Sequence, residues 1–396
     1  MTNLFFNPVK VISGRGCVGS FDWRSLGKKC MVVCGERSAR LSGALDDLKT
    51  ALSAAGIAVA VFDKVEQNPS VETCFAAGAA AREFKADFIV GIGGGSPLDA
   101  AKAAAYFAAN THLNVDTLYD GECKSSPLPV VAIPTTAGTG SEVTQYAVLT
   151  YHKIQNKKTL KTPSIFPVAA LLDAEYTVTL PQSVTNATAV DALCHAIEGY
   201  LSKSATPVSD ALAEKAIFYM GRGLRSLADG RLDYNLRERL LCGSMLAGMV
   251  ISVTGTSFVH SFGYPLTYFE GLSHGEANAY FLSDFLFYSA RVAEDKVNRI
   301  YRLCGVRSNE EFRSLIEGAV PCDRKFDRDA VMKYSRIGGG GSSVNRGLYE
   351  PTPDDVYNMY KKYIIYQKVN NRCVTHRLFC LNNPVECRCR HILFCG

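Results

Sequence analysis

With 396 residues, 47% of them apolar and 20% charged, the chain has an ordinary globular composition, and two domains is the natural expectation. A net charge of +5 is too small to argue for nucleic acid, and residues 365–396 supply much of it, with five Lys or Arg against one Glu. No apolar run approaches the ~20 residues of a membrane helix, and the start Met1-Thr2-Asn3-Leu4-Phe5-Phe6-Asn7-Pro8 lacks the regions of a signal peptide.

From Cys30 the chain alternates between short apolar runs and helix-like stretches. Cys30–Cys34, Ile57–Phe62, Phe88–Ile92 and Val130–Ile133 read as buried strands, and Ser42–Ala54, Val71–Phe84 and Pro97–Ala109 as the helices between them. Such alternation predicts an α/β unit with a parallel sheet covered on both faces. Ligands of these sheets bind at the carboxyl ends of the strands. The third strand runs into Gly93-Gly94-Gly95-Ser96-Pro97-Leu98-Asp99, where Ser96 reads as an N-cap and Asp99 completes a capping box. Three glycines ahead of a helix N-terminus let backbone N–H groups approach a diphosphate. A turn that needs glycine only for its backbone angles is the plainer alternative. The fourth strand runs into Pro134-Thr135-Thr136-Ala137-Gly138-Thr139-Gly140-Ser141, a loop of short donors suited to ribose and phosphate oxygens or simply to solvent. At the end of the first strand, Gly35 leaves room and Arg37 and Ser38 offer donors for a 2′-phosphate, while Glu36 argues the other way. The balance favours NADP(H) over NAD(H).

After Pro181 the sequence turns to long amphipathic runs, among them Ser209–Leu227, Leu236–Val253 and Ala277–Tyr301. Asp191 and His195, four apart in a helix-compatible stretch, leave one face roughly 6 Å apart at Cβ. Such a pair alone is usually a surface hydrogen bond. With His260 and His274 further on, it can make a one-oxygen, three-nitrogen metal site.

Gly93–Lys102 (GGGSPLDAAK), Pro134–Thr144 (PTTAGTGSEVT), Asp191–Tyr200 (DALCHAIEGY), His260 and His274–Asn278 resemble, in order and spacing, the iron-containing alcohol dehydrogenases. The likeness extends to Phe6-Asn7-Pro8 and Phe166–Pro181, and the chain resembles the NADP-linked butanol and 1,3-propanediol dehydrogenase-like members. The resemblance implies an α/β nucleotide-binding domain over residues 1–180 and an all-helical metal-binding domain over 181–366. It implies a metal-dependent dehydrogenase that transfers a hydride between a nicotinamide and a small primary alcohol or diol, with aldehyde reduction favoured. Carried over, the metal ligands fall on Asp191, His195, His260 and His274, and the metal on Fe2+, with Zn2+ as the alternative. The phosphate loop falls on Gly93, Gly94, Gly95 and Ser96, and nicotinamide and ribose contacts on Asp99, Thr135, Thr136, Thr139 and Ser141. Lys158 matches a lysine near the cofactor in relatives, within a Lys157–Lys161 run that reads equally as a solvated face. Tyr264 stands where many members have a second histidine, so the proton route is expected to run through a phenol with an ordinary pKa near 10 instead of an imidazole. Phe258, Phe262, Tyr264 and Phe269 suggest an apolar pocket for the substrate, or simply core. A homodimer or larger homo-oligomer is implied as well.

Nine of the fourteen cysteines are scattered singly over residues 17–322, which suits reduced thiols in the cytoplasm. The rest lie in residues 367–396, a basic extension expected to stand outside the fold. There Cys387, Cys389, His391 and Cys395 match no standard zinc spacing. Gly338-Gly339-Gly340-Gly341-Ser342-Ser343 reads as a flexible loop. Two other readings are a dehydroquinate synthase-like or glycerol dehydrogenase-like enzyme on the same scaffold, and a non-catalytic nucleotide or metal binder.

Overall fold

The computed structural model describes residues 4–154 and 156–365. Its first part is a six-stranded sheet in the order β1-β8-β5-β4-β2-β3. These strands are β1 (Lys10–Ser13), β2 (Lys29–Cys34), β3 (Ala58–Phe62), β4 (Phe88–Gly93), β5 (Val130–Pro134) and β8 (Ala169–Leu172). Every pairing in it is parallel, as expected from the apolar runs. The single-turn helices α1 (Cys17–Ser20) and α2 (Ser38–Leu41) and the helix α3 (Ala44–Ala55) share one core with a sheet face, around Trp23, Val32, Leu45, Leu48 and Val90. On the other face lie α4 (Val71–Phe84) and α5 (Gly95–Ala109), packed through Ala77, Ala81, Ala104 and Phe107. Burying each large apolar side chain contributes about 1.5–3 kcal/mol, and this double cover is why the strands carry no polar alternation.

Two edges of this picture escape the sequence reading. β1 and β8 are only four residues each, too short for a periodic signal. An antiparallel hairpin, β6 (Tyr146–Tyr151) with β7 (Asn156–Lys161), stands apart from the main sheet and pairs Leu149 with Lys158. The expected start of α3 at Ser42 moves to Ala44 behind Gly43, whose φ is 82°. The chain order of β2, β3, β4 and β5 reverses between β2 and β4, so the loop leaving β4 opens at the topological switch point.

From Gln182 onward the described residues are helical, in α6 (Gln182–Tyr200), α7 (Pro207–Ala228), α8 (Tyr234–Thr254), α9 (Phe258–Glu270), α10 (His274–Cys304), α11 (Asn309–Ala319), α12 (Arg328–Gly339) and α13 (Pro353–Lys361). α6 is buried on nearly every side from Thr185 to Tyr200, which makes it the central helix and removes the one-sided pattern of a surface helix. α7 starts two residues before the expected Ser209, because Thr206 and Ser209 cap it reciprocally. The expected flexible glycine loop is also different: Gly338 and Gly339 close α12, and Gly338 is buried. No single helix among the described residues is long and apolar enough to cross a membrane. The cysteine-rich segment 367–396 lies outside the described residues.

Candidate active site

A cavity of about 540 Å3 lies between the carboxyl end of the sheet and the helices, and both halves of the chain line it. From the sheet side come Gly95 and Ser96, with Thr139 and Ser141 of the hydroxyl-rich loop. Gly93 has φ 146°, a conformation few other residues adopt, and turns the chain from β4 into α5. A Cβ on Gly95 would stand 2.6 Å from Thr139 Cγ2, so the two loops touch only because glycine is there. Thr136 packs in the same way against Gly94, while Thr135 is buried with Oγ1 unpartnered.

The cap proposed for α5 does not form. The helix begins at Gly95 behind Gly94, with no side-chain cap, which leaves its first N–H groups turned to the cavity end. Ser96 Oγ instead accepts the Asn68 N–H at 3.0 Å. Asp99 is held inside the protein: its Oδ1 accepts from Ser141 Oγ at 2.5 Å and its Oδ2 from the Val148 N–H at 2.9 Å. Lys102, fully buried, completes this lattice by pairing with Asp99 at 3.1 Å and donating to Ser141 Oγ at 2.7 Å and to the Tyr146 carbonyl. The lattice ties α5 to the hydroxyl loop and to β6. Gly35 and Ser38 sit side by side beyond β2, and Cys34 pairs with Ile92, so they share the sheet end with Gly93 but do not line the cavity.

The hairpin settles which lysine faces the cavity. Residues 157 and 159 of β7 line it, together with Tyr146 and Val148 of β6. Lys158 points to the opposite face, with Nζ 4.3 Å from the Tyr119 ring centre. Lys157 Nζ donates to Asn68 Oδ1 at 2.9 Å, and burial lowers its pKa against the pull of Asp191 and Asp99.

On the helical side, α6 carries Asp191 and His195, α9 carries His260, and α10 begins with His274. One donor atom each from Asp191, His195 and His260 lies within 4.8 Å of the others. The His260 and His274 ring centres are 5.1 Å apart, which puts the fourth expected donor beside this cluster. His195 Nδ1, His260 Nε2 and His274 Nδ1 are buried without a hydrogen-bond partner. A buried orphan of this kind costs about 1–3 kcal/mol, and a divalent cation fits the clustered donor set of Asp191, His195 and His260. Burial alone would favour neutral Asp191, but His195, His274 and His260, whose Nε2 is 3.6 Å away, draw its pKa well below the usual carboxylate range. Burial pushes His195 down to about 4 and His274 to about 3, so both present lone pairs at neutral pH. His260 goes the other way, up to about 10, because Glu198 and Asp191 outweigh its burial.

Four contributors lie within the named stretches but have no role in the motif reading. Glu198 accepts the Nδ1–H of His260, and its other oxygen accepts the N–H groups of Ser257 at 3.0 Å and Val259 at 2.9 Å. It stands three residues beyond His195 on the same helix face, which is the signal that points to it. Asn278 Nδ2 donates to Asp191 Oδ1 at 2.9 Å from one turn beyond His274. Lys102 carries an (i, i+3) signal to Asp99, whereas its contacts with Ser141 and Tyr146 and the contact of Lys157 with Asn68 join residues distant in sequence. Tyr264 lines the cavity and stacks on His274 with centres 5.4 Å apart. Burial pushes its hydroxyl up to about 12, so it keeps its proton at neutral pH. Of the four aromatic residues expected around the substrate, only Tyr264 lines the cavity: Phe258 and Phe262 are core residues, and Phe269 is exposed and stacks on Tyr334.

Two family models match the chain, iron-containing alcohol dehydrogenase over residues 8–174 and the C-terminal part of the Fe-containing alcohol dehydrogenase family over residues 185–320. The chain belongs to the iron-containing alcohol dehydrogenase family. As an oxidoreductase of that family it is 35% identical to long-chain-alcohol dehydrogenase 1 of Geobacillus thermodenitrificans over 310 residues, 77% of each chain. It is 33% identical to the NADPH-dependent butanol dehydrogenase of Clostridium saccharobutylicum, covering 78% of this chain and 80% of the relative. Among solved structures, an iron-containing alcohol dehydrogenase of Thermotoga maritima superposes with a TM-score of 0.84 at 37% identity, over 92% of this chain and 99% of that one. Sulfoacetaldehyde reductase of Bifidobacterium kashiwanohense, solved with NAD+, superposes at 0.83 and 27% identity, over 93% and 100%. This family membership bears out the resemblance of the sequence motifs and does not favour the lyase-like or non-catalytic readings.

Proposed function

We propose that this member of the family reduces small aldehydes to primary alcohols or diols with NADP(H), using a divalent metal held by Asp191, His195, His260 and His274. The observation that carries the reading is that Asp191, His195 and His260 bring donor atoms within 4.8 Å of one another, and that these residues, His274 and the bare N-terminus of α5 line one cavity. Support for NADP(H) comes from Gly35 and Ser38 standing side by side at the sheet end shared with Gly93 and from the named cofactor of the butanol dehydrogenase relative. Fe2+ is favoured over Zn2+ by the family description, since nitrogen and oxygen donors suit both. The same reading places the domain boundary at Leu180–Pro181, between the two family matches, and takes the enzyme as a cytoplasmic homodimer or larger assembly without nucleic-acid or membrane partners.

When bound, the metal supplies Lewis acidity to the substrate oxygen and the nicotinamide supplies the hydride. Reduction adds that hydride to the carbonyl carbon and a proton to the oxygen. The chain's part is to hold both reactants. The α5 N-terminus and Ser96 receive the diphosphate, and Thr139, Ser141 and Lys157 border the path from there to the metal ligands. Tyr264 offers a hydrogen bond to the substrate oxygen, and water at the cavity mouth delivers the proton. Purified protein, loaded in turn with Fe2+ and Zn2+ and assayed with NADPH and NADH on one short aldehyde, tests this. Metal-dependent oxidation of NADPH with the lower KM is expected, and a protein that neither holds nor can be given a metal would overturn it.

A further inference from the structure

The cavity contains three carboxylates, and the protein engages each of them. Asp99 belongs to the Lys102 lattice, Asp191 faces His260 and Asn278, and Glu276 accepts the Ser273 N–H at 2.8 Å. Its lysine, Lys157, has Asn68 as a partner. Arg346 is different. It lines the same cavity, yet among the described residues it joins no ion pair and its guanidinium makes no hydrogen bond.

The position of this guanidinium is built into the fold. Arg346 closes the short turn Val344–Arg346, whose last carbonyl accepts the Lys203 N–H at 2.9 Å. From there its side chain crosses Gly255, where an added Cβ would lie 2.7 Å from Nη1. Gly255 has φ 67° and belongs to the turn between α8 and α9, five residues before His260. The cation therefore stands on the His260 side of the cavity, away from the diphosphate end at Gly95 and Ser96. Tyr264 and Tyr146, which also line the cavity, both feel its charge. A planar, two-pronged cation without a protein partner, facing the space where the substrate must lie, is a receptor for a carboxylate.

We propose that the substrate is an aldehyde acid, whose carboxylate Arg346 receives while its carbonyl is presented to the Asp191, His195 and His260 cluster. This rests on the aldehyde-reductase reading and narrows it. Arg346 is exposed at the cavity mouth, where water and salt screen the pair, so the expected effect is about tenfold and not a thousandfold.

The test compares 4-oxobutanoate with its neutral methyl ester, in the metal-loaded wild type and in Arg346→Gln and Arg346→Lys. The acid should be preferred by about tenfold in kcat/KM, mostly through KM, and this preference should weaken with added salt. The acid-to-ester ratio should fall about tenfold in Arg346→Gln and less in Arg346→Lys. Equal use of acid and ester by the wild type, or an unchanged ratio in Arg346→Gln, overturns the proposal. Titration with succinate, which cannot react, reads the same contact without turnover: Arg346→Gln should bind it at least several-fold more weakly. Failure to reduce any aldehyde counts against the enzymatic reading alone, and the succinate titration still decides the role of Arg346.

Discussion

Glu198 determines which nitrogen of His260 is free. Its carboxylate can only accept, so the proton of a neutral His260 stays on Nδ1 and the Nε2 lone pair faces Asp191 and His195. Glutamine has the same shape but one donor end. Turned one way, its NH2 faces Nδ1 and moves the imidazole proton to Nε2. Turned the other way, it faces the N–H groups of Ser257 and Val259. The first orientation removes the Nε2 lone pair that a metal needs, and the second sets donor against donor. Glu198→Gln should therefore weaken Fe2+ or Zn2+ binding by roughly ten- to a hundredfold, measured by competition with a chelator. Affinity within twofold of the wild type would remove Glu198 from this role. The hairpin gives a second comparison at the same scale. Lys157→Ala removes a cation from the cavity and should raise the KM for the nicotinamide cofactor about tenfold, whereas Lys158→Ala only removes a lysine stacked over Tyr119. Equal effects of the two would mean that the hairpin register does not decide cofactor binding.

The metal cluster depends on how closely α6 and α10 approach. A Cβ on Gly275 would lie 1.8 Å from the Ala187 carbonyl oxygen, on the backbone one turn before Asp191. Backbone cannot move aside as a flexible side chain can. Gly275→Ala should push the start of α10, and with it His274, away from α6. Overpacking of this kind costs about 1–3 kcal/mol, and we expect a lower Tm together with less than half of the wild-type metal content. Wild-type metal content in a folded variant would count against a ligand role for His274. The glycine itself was readable as part of the His274-Gly275-Glu276 run, but its contact was not. This is the general division between what the sequence shows and what it hides. Ligand pairs one helical turn apart, glycines before a helix and continuous apolar strands are local patterns, so α4, the parallel strands and the Asp191–His195 pair could all be read. The Lys102 contacts with Ser141 and Tyr146, the Lys157–Asn68 bond and the Gly255–Arg346 contact join residues far apart in the chain. Their partners are supplied by the fold. The α5 cap failed for the same reason, because Asn68 and Val148 competed successfully for Ser96 and Asp99.

At the scale of the whole molecule, the two parts meet where the Gly140–Val143 turn packs against α8, so closely that a Cβ on Gly140 would lie 2.4 Å from Gly248 Cα. Glu142 is buried in that turn, with one carboxylate oxygen unpartnered. Burial pushes its pKa up to about 7 from 4.5, and Lys102 only partly opposes this. A raised carboxyl pKa means that the folded protein holds this proton more tightly than the unfolded chain does. Its contribution to stability is complete below pH 4.5 and is lost as the pH rises through about 7. Other groups titrate in the same range, so absolute melting curves do not isolate the effect. Glu142→Gln does, because glutamine keeps the shape and cannot ionise, and the other groups cancel in the comparison. The stability gap between variant and wild type should be constant below pH 4.5 and should then shift in favour of the variant. By pH 8 the shift should reach on the order of 3 kcal/mol, or several degrees in Tm for a chain of this size. Thermal melts of both proteins at pH 4.5, 6 and 8 measure this gap directly. A gap that does not change with pH would show that Glu142 is ionised in the folded protein, and that the junction between the two parts tolerates its charge.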